Sequence, residues 1–380
     1  MASYRIGIIG PGHKGVEYAV AYRFHPQTEV VAAADPDAET LGMFCDRFGV
    51  PGYADYREML ARERIDVAAA ILPVAPNPDV VVACAQAGVR AVQCEKPMAA
   101  TLADADRMVE ACRANGVALA VGDLDRNLPE YGTAMALIEA GEIGEVSSIT
   151  ATGGSGTELS GGGCQVLSLV RLFAGDADVA WAIGWMANDA ESDHDQGGAG
   201  YFRFVTGTEA ILHRSADARG MGIEAAGSRG VIRVSDNVVR MWRRPDEDPG
   251  APAAERDSWQ RLQPVDGVFP EGSIRNWDKG SHDGWGIPAN RQAATVQELV
   301  TALDAGDAPL SDGINGRAVL EMAIAIRESH RQGHAPVRLP LADRSLRLLP
   351  KPTRLHHKKP LRGREWYLRE LRKHLGTEEP

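Results

Sequence analysis

The sequence contains little cysteine. The five cysteines are Cys45, Cys84, Cys94, Cys112 and Cys164, with no CxxC pair and no histidine at metal-ligand spacing. Common zinc and iron–sulfur sites need such clusters, so the pattern predicts no metal centre. Scattered cysteines in a chain of 380 residues are typical of reduced thiols and favour a cytoplasmic protein over a disulfide-rich secreted one.

Long apolar runs and an excess of basic charge are also missing. No segment reaches the roughly 18 apolar residues that a membrane helix needs, and a strand pattern begins too early to leave room for a signal peptide. The net charge of −11 argues against a general nucleic-acid binder. We therefore expect a cytoplasmic protein with neither a membrane nor a nucleic acid as partner. The length predicts two domains.

The most informative segment present is a glycine motif near the amino terminus. An apolar run ends in Gly10-x-Gly12-x-x-Gly15, and a second apolar run ends at Asp35, 20 residues after Gly15. A strand, a glycine turn, a helix, a second strand and an acid, in this order, bind a dinucleotide. Gly10 permits the turn, Gly12 lets backbone approach the pyrophosphate, and Gly15 lets the helix pack on the strand.

The residues after the second strand bear on the choice of coenzyme. Asp35 would accept hydrogen bonds from the adenosine ribose, and Pro36 and Asp37 follow it. A 2′-phosphate would meet two carboxylates and no neighbouring basic residue in the sequence. The motif therefore predicts NAD in preference to NADP.

Strand and helix patterns alternate up to about residue 125 and then change. The alternation predicts a doubly wound parallel sheet, a Rossmann domain over residues 1–125. Residues 126–345 contain strand patterns near 145–153, 178–187, 199–206, 208–216, 221–226 and 230–243, with helices near 129–140, 289–305 and 315–332. We predict a second α/β domain, for substrate and oligomerisation, with a large and mainly antiparallel open sheet. Residues 245–285 are rich in Pro, Asp, Gly and Ser and indicate a surface excursion.

The last segment, residues 346–380, is a basic tail with a short predicted helix. Residues 351–373 hold nine Lys or Arg, and Trp366, Tyr367, Leu368, Leu371 and Leu375 recur at helical spacing. Two interpretations stay open: an arm that grips a neighbouring subunit or an acidic ligand, and a helix that caps its own domain with a solvated basic face.

Several further motifs connect the chain with a known family. Glu95-Lys96-Pro97 follows the fifth strand, Tyr53-x-x-Tyr56-x-x-Met59-Leu60 precedes the fourth, and Arg126-x-x-Pro129 stands at the domain junction. With the glycine motif, they make residues 3–345 resemble the glucose–fructose oxidoreductase, inositol dehydrogenase and rhizopine catabolism (Gfo/Idh/MocA) family. The resemblance implies an NAD(P)-dependent enzyme that oxidises or reduces a carbinol carbon of sugars and cyclitols.

The resemblance also implies roles for individual residues. Lys96 would stand beside the nicotinamide and the reacting hydroxyl, where an ammonium group can shuttle a proton. Glu95 would orient the nicotinamide side, and Pro97 is a candidate cis-proline. The predicted coenzyme contacts are Gly10, Gly12, His13, Lys14, Gly15, Asp35, Pro73, Glu95 and Lys96.

The second catalytic element of the family is altered in this chain. The family commonly has Asp-x-Gly-x-His-x-x-Asp, whereas the matching positions here are Gly161, Gly163, Gln165 and Ser168. Gln165 does not titrate and so is no general base, but it can bind a substrate oxygen. Lys96 therefore acts alone, or another group replaces the histidine, or the chain has no net redox turnover. The candidate replacements are His194, His213 and His282.

The predicted substrate contacts are Lys96, Arg126, Cys164 and Gln165. For Arg126 the alternative is an ion pair that ties the two domains together. The sequence as a whole predicts an NAD-dependent oxidoreductase for a polyol, sugar or glycoside, assembled as a homodimer or homotetramer. The alternative is an NAD-binding protein that recycles the coenzyme internally in a non-redox reaction, or that senses a ligand.

Overall fold

A computed structural model describes most of the chain. The described residues are 4–122, 124–153, 158–187, 194–214, 222–235, 238–244, 263–265 and 290–377. Most of the predicted excursion at 245–285, including the candidate His282, lies outside these ranges. No helix within them is both long and apolar enough to cross a membrane.

The first sheet is parallel and six-stranded, in the order β3-β2-β1-β4-β5-β6. Its strands are β1 (Tyr4–Ile9), β2 (Thr28–Ala34), β3 (Gly52–Tyr53), β4 (Val67–Ala70), β5 (Ala91–Cys94) and β6 (Ala118–Val121). The central strands are buried almost throughout because helices cover both faces of the sheet. The chain order reverses between β1 and β4, which opens a crevice at the carboxyl ends of these two strands. The predicted Rossmann topology is confirmed.

Five helices connect these strands: α1 (His13–Phe24), α2 (Ala38–Phe48), α3 (Tyr56–Arg62), α4 (Asn77–Gln86) and α5 (Leu102–Ala114). Side chains at their first turns fix where several of them begin. Asp37 accepts a hydrogen bond from the Thr40 amide, and Thr101 accepts one from the Asp104 amide.

The second sheet has nine strands in the order β14-β13-β12-β11-β7-β10-β9-β8-β15. Among the described strand pairs of this second sheet, only β7–β10 is parallel. The predicted, mainly antiparallel open sheet is therefore confirmed. The predicted run at 230–243 is two strands of a hairpin. The strands are β7 (Val146–Gly153), β8 (Val179–Met186), β9 (Gly198–Phe204), β10 (Glu209–Arg214), β11 (Gly222–Gly227), β12 (Gly230–Ser235), β13 (Val238–Arg243), β14 (Gln263–Val265) and β15 (Val337–Arg338).

Helices cover one face of this sheet and join it to the first. They are α6 (Pro129–Glu139), α7 (Cys164–Phe173), α8 (Asn290–Ala305) and α9 (Gly313–Arg331). Helix α7 is buried along its whole length, and α9 packs on β8 and on α5 of the first region, whereas α8 packs on α1. The proposed boundary at residue 125 falls inside a short 3-10 turn, Leu124–Asn127.

The basic tail returns to the Rossmann domain. It forms α10 (Pro352–Leu355), α11 (Lys358–Arg362) and α12 (Arg364–Leu375). Helix α12 packs on α1 and α2 and buries Tyr367, Leu368, Leu371 and Leu375, while its basic side chains face outward. Of the two interpretations of the tail, the structure has the helix that caps its own domain.

Candidate active site

The glycine loop between β1 and α1 has the geometry of a dinucleotide cradle. Gly10 has a φ of +82°, and a Cβ there would stand 2.7 Å from the Ile71 carbonyl oxygen. A Cβ on Gly15 would stand 2.2 Å from the Gly10 carbonyl oxygen. Both positions therefore require glycine. Helix α1 starts directly after Gly12, so its first amide groups point toward the crevice.

Asp35 ends β2 beside this loop and is 6% exposed. Its carboxylate accepts a hydrogen bond from the Asp37 amide at 2.8 Å. Burial raises the pKa of Asp35 to about 6. The pKa of Asp37 is lowered instead. Burial acts to raise this pKa, but the hydrogen bond from the Lys359 ammonium outweighs burial and holds it at about 2.

The space in front of Gly12 is occupied by the tail. The Tyr367 hydroxyl lies 2.8 Å from the position that a Cβ on Gly12 would take. The His13 ring stacks on the Tyr367 ring, and His13 Nε2 is 2.9 Å from the Tyr367 carbonyl oxygen. The glycines, Asp35 and the α1 amides thus fit a dinucleotide, and the Tyr367 hydroxyl lies against the second of these glycines. Nothing in the sequence indicates this contact, because Tyr367 and Gly12 are 355 positions apart.

The other predicted coenzyme contacts lie around the same crevice. Lys14 is exposed and pairs with Glu17 one turn along α1. Pro73 is half-buried in the loop after β4, next to Val74. Glu95 follows β5, and one of its carboxylate oxygens lies 3.1 Å from the place of a Cβ on Gly122. Burial raises the pKa of Glu95, and the charges of Lys96 and Lys14 oppose that rise.

Lys96 reaches from the Rossmann domain to the second region. The Lys96–Pro97 peptide bond is cis, as predicted. The Lys96 ammonium donates a hydrogen bond of 2.9 Å to the Gly161 carbonyl oxygen. Gly161 lies in a π-helical turn, Leu159–Gly163, with a non-helical φ of −107° and ψ of −116°. A backbone oxygen therefore contacts Lys96 at the position where the family motif has an aspartate.

Gln165, at the start of α7, joins the two regions through backbone contacts. Its amide nitrogen donates to the Gly122 carbonyl oxygen at 3.0 Å, and its amide oxygen accepts from the Asp125 amide at 3.1 Å. Gln165 is 5% exposed. One N–H of the side-chain amide remains after these bonds.

Arg126 and Cys164 are not placed as predicted. The Arg126 guanidinium is 0% exposed and donates to Asp176 Oδ2 at 2.6 Å and to Asn315 Oδ1 at 3.1 Å. This ion pair lies within the second region, since Asp176 and Asn315 both belong to residues 126–345, and so it does not tie the two domains together. The substrate contact of Arg126 is corrected because its side chain is fully buried. Cys164 is likewise buried, and its thiol donates to the Leu159 carbonyl oxygen at 3.0 Å.

Asp125 is a site residue that the sequence reasoning missed. It is 1% exposed, and Arg291 Nε lies 2.9 Å from its Oδ1. Burial raises the pKa of Asp125, and the charges of Arg291 and Lys96 oppose this rise. The available signal was an acid directly before Arg126 at the junction, but position alone did not indicate that it would be buried near Lys96.

The histidines proposed to replace the missing base have different surroundings. His213 lies in β10 on the exposed face of the second sheet, away from α7. His194 precedes Asp195, a buried carboxylate that accepts hydrogen bonds from the Leu159 and Ser160 amides and so holds the π-helical turn. His282 lies outside the described residues.

The amino-terminal region is similar in sequence to known proteins. Residues 4–123 match the family described as an oxidoreductase family with an NAD-binding Rossmann fold. D-Apiose dehydrogenase of Paraburkholderia graminis is 34% identical over 142 residues, which cover 37% of this chain and 38% of the relative. Myo-inositol 2-dehydrogenase of Thermotoga maritima is 31% identical over 145 residues, covering 37% and 42%. The chain thus matches less than half the length of these relatives.

Solved structures extend the likeness to nearly the whole chain. Levoglucosan dehydrogenase in complex with NADH and L-sorbose has a TM-score of 0.74 at 19% identity, covering 90% of this chain and 100% of that one. The WlbA dehydrogenase of Bordetella pertussis in complex with NADH and UDP-GlcNAcA has a TM-score of 0.70 at 21% identity, covering 90% and 99%. At these identities the likeness establishes the fold.

Proposed function

Because its amino-terminal domain belongs to the NAD-binding Gfo/Idh/MocA family of oxidoreductases, we propose that this chain is an NAD-dependent dehydrogenase or reductase. Its substrate would be a sugar-like or cyclitol-like small molecule with a reacting carbinol or keto carbon. One observation carries the proposal. The Lys96 ammonium spans from the coenzyme domain to the π-helical turn of the second region, at the junction where a substrate would meet the coenzyme.

The proposed chemistry of the chain is proton transfer by Lys96. Bound NAD would supply hydride acceptance and NADH hydride donation. In the oxidation direction, neutral Lys96 takes the proton of the substrate hydroxyl. In the reduction direction, the Lys96 ammonium gives a proton to the forming alkoxide. The Gly161 carbonyl oxygen accepts a hydrogen bond from Nζ and so holds it in place.

We assign Gln165 a binding and positioning role. Its two backbone bonds fix the segment between Gly122 and Asp125, and its remaining N–H is available to a substrate oxygen. The absence of a titratable side chain at positions 161, 165 and 168 also favours a second candidate function, without net redox turnover. The chain would then recycle NAD within a non-redox reaction, or bind its ligand as a sensor.

Coenzyme absorbance separates these functions. The purified protein is incubated with NAD or NADH and a panel of polyols, glycosides and their keto forms, and absorbance is followed near 340 nm. A steady change identifies a dehydrogenase or reductase. A new product without net absorbance change identifies internal recycling, and coenzyme binding without any product favours the sensor.

Coenzyme preference gives a first prediction. We expect NADP to bind at least about tenfold more weakly than NAD, because Asp35 and Asp37 would face the 2′-phosphate. The Lys359 ammonium is close by, but Asp37 and Glu39 already share it. Titration calorimetry with both coenzymes measures the ratio. In Asp35→Ser the ratio of the two dissociation constants should move closer to one. Equal affinities of the unmodified chain for NAD and NADP would contradict the predicted preference for NAD.

Assembly gives a second prediction. The face of the second sheet opposite α7 and α9 presents stacked Trp181 and Tyr201, together with Trp185 at 47% and Ile211 at 38% exposure. Apolar patches of this kind are usually covered. We therefore expect a homodimer or homotetramer, to be measured by light scattering at micromolar concentration. Ile211→Arg should lower the measured mass, and a monomeric mass for the unmodified protein would refute the prediction.

A further inference from the structure

The tail forms a strap across the mouth of the coenzyme crevice. We define the C-terminal strap as residues 351–377. At its start, Arg354 donates to Glu158, beside the π-helical turn, at 2.9 Å. The strap then crosses the loop after β4, where the Val74 amide donates to the Arg354 carbonyl oxygen and the Ala75 amide to that of Leu355, both at 3.1 Å. It therefore passes from the substrate side to the coenzyme side.

The middle of the strap is held at the end of β2. The Lys359 ammonium donates to both carboxylate oxygens of Asp37 at 2.7 Å and to Glu39 at 3.0 Å. Gly363 follows with a φ of +88°, a conformation that glycine adopts without strain. Helix α12 starts directly after this glycine, and its first residue, Arg364, donates to Glu39 at 3.0 Å, the same carboxylate that Lys359 contacts.

The helical half places one side chain in the cradle itself. Tyr367 is 2% exposed, and its hydroxyl takes the space that the missing side chain of Gly12 leaves free. The second glycine of this motif is small so that a pyrophosphate can approach the backbone. Burial raises the pKa of Tyr367 to about 12, and the nearby Asp35 and Asp37 charges act in the same direction. The phenol thus lies against the glycine that a pyrophosphate would approach.

We propose that the C-terminal strap is an intramolecular competitor of the coenzyme, with Tyr367 occupying the junction of the ribose and pyrophosphate positions. This inference rests on the proposed function, since it presupposes that the crevice binds a dinucleotide. A clamp over bound coenzyme is the opposite arrangement, and it would need a gap between strap and cradle. The 2.8 Å approach of the hydroxyl to the Gly12 Cβ position leaves no such gap. Coenzyme entry therefore requires the Tyr367 end of the strap to withdraw.

Calorimetry on the full-length chain tests the competition. In Tyr367→Ala the dissociation constant of NAD should fall by about tenfold or more, because the competing side chain is gone. The matched control is Lys373→Ala, on the outer face of the same helix, where Lys373 pairs only with Glu370 among the described residues. That variant should bind NAD as the unmodified chain does. An unchanged or weaker affinity in Tyr367→Ala would overturn the inference.

Limited proteolysis of the unmodified chain gives an independent test. Addition of NAD should speed tryptic cleavage between residues 354 and 364, as followed by the mass of the carboxyl-terminal fragment, because the strap leaves the crevice. Nicotinamide mononucleotide, which lacks the adenosine half, is the control and should have no effect. Protection by NAD would identify a clamp and overturn the competition. If no variant binds NAD or NADP, the proposed function itself fails; binding that is insensitive to Tyr367 removes only the strap.

Discussion

Replacement of Lys96 by alanine is expected to lower kcat by about 10²-fold or more while NAD affinity stays nearly unchanged. The substitution removes the amine that would exchange a proton with the substrate oxygen. The Gly161 carbonyl that now accepts from Nζ stays in place, as do the glycine loop and Asp35. Steady-state kinetics on a substrate from the absorbance panel gives kcat, and calorimetry gives the NAD affinity.

Lys96→Arg is the informative companion variant. An arginine keeps the positive charge but does not release its proton in the accessible pH range. If proton transfer is the role of Lys96, Lys96→Arg should be nearly as slow as Lys96→Ala. Recovery of activity in the arginine variant would indicate that only the charge matters. An unchanged kcat in Lys96→Ala would remove this residue from the mechanism.

Replacement of Arg126 by alanine is expected to reduce the free energy of unfolding by about 2 to 4 kcal/mol, through the cavity and the lost hydrogen bonds. The Arg126 guanidinium is fully buried and bonds the Ser168 carbonyl oxygen at 3.0 Å, Asp176 at 2.6 Å and Asn315 at 3.1 Å. Its loss would remove this donor from the Ser168 carbonyl oxygen and open a cavity, while Arg171 would still donate to Asn315 Oδ1 and lie 3.8 Å from Asp176. Denaturant unfolding of both proteins, followed by circular dichroism, measures the difference.

An exposed ion pair supplies the control for Arg126. Arg113 pairs with Glu110 on α5, and its side chain is 76% exposed, so Arg113→Ala should change the stability by less than about 0.5 kcal/mol. If Arg126→Ala were as stable as the unmodified chain and instead raised KM, Arg126 would be a substrate contact and the buried ion pair would be incidental.

Local signals explain what the sequence predicted well. Gly10 is required by its own φ of +82°, and Gly15 by the Gly10 carbonyl oxygen five positions earlier. Such patterns are readable because cause and effect lie in the same segment. The alternating strands of the second region were readable for the same reason, although the division of 230–243 into two strands was not.

The contacts that shape the crevice depend on long-range packing. Lys359 and Asp37 are 322 positions apart, and nothing near either residue indicates the other. The turn that contains Gly161 is held by a hydrogen bond from the Leu159 amide to Asp195. The Gly161 carbonyl oxygen in that turn accepts a hydrogen bond from Lys96. The residues around Asp125 in the sequence form no recognisable motif. Only the burial of its side chain marks Asp125 as a site residue. Burial of single polar residues is decided by the assembled fold, which pattern reading does not reach.

The seam between the two sheets has a consequence for how the enzyme would work. The Val121 amide donates to the Ser311 carbonyl oxygen at 2.7 Å, and Gly313 and Gly316 let α9 rest directly on Leu119 and Val121 at the edge of the first sheet. A Cβ at either glycine would come within 2.7 Å of those side chains. Edge strand and helix are thus in direct contact. In the proposed enzyme, a side chain added at either glycine would push α9 away from the edge strand and so change the spacing between the coenzyme domain and the second region.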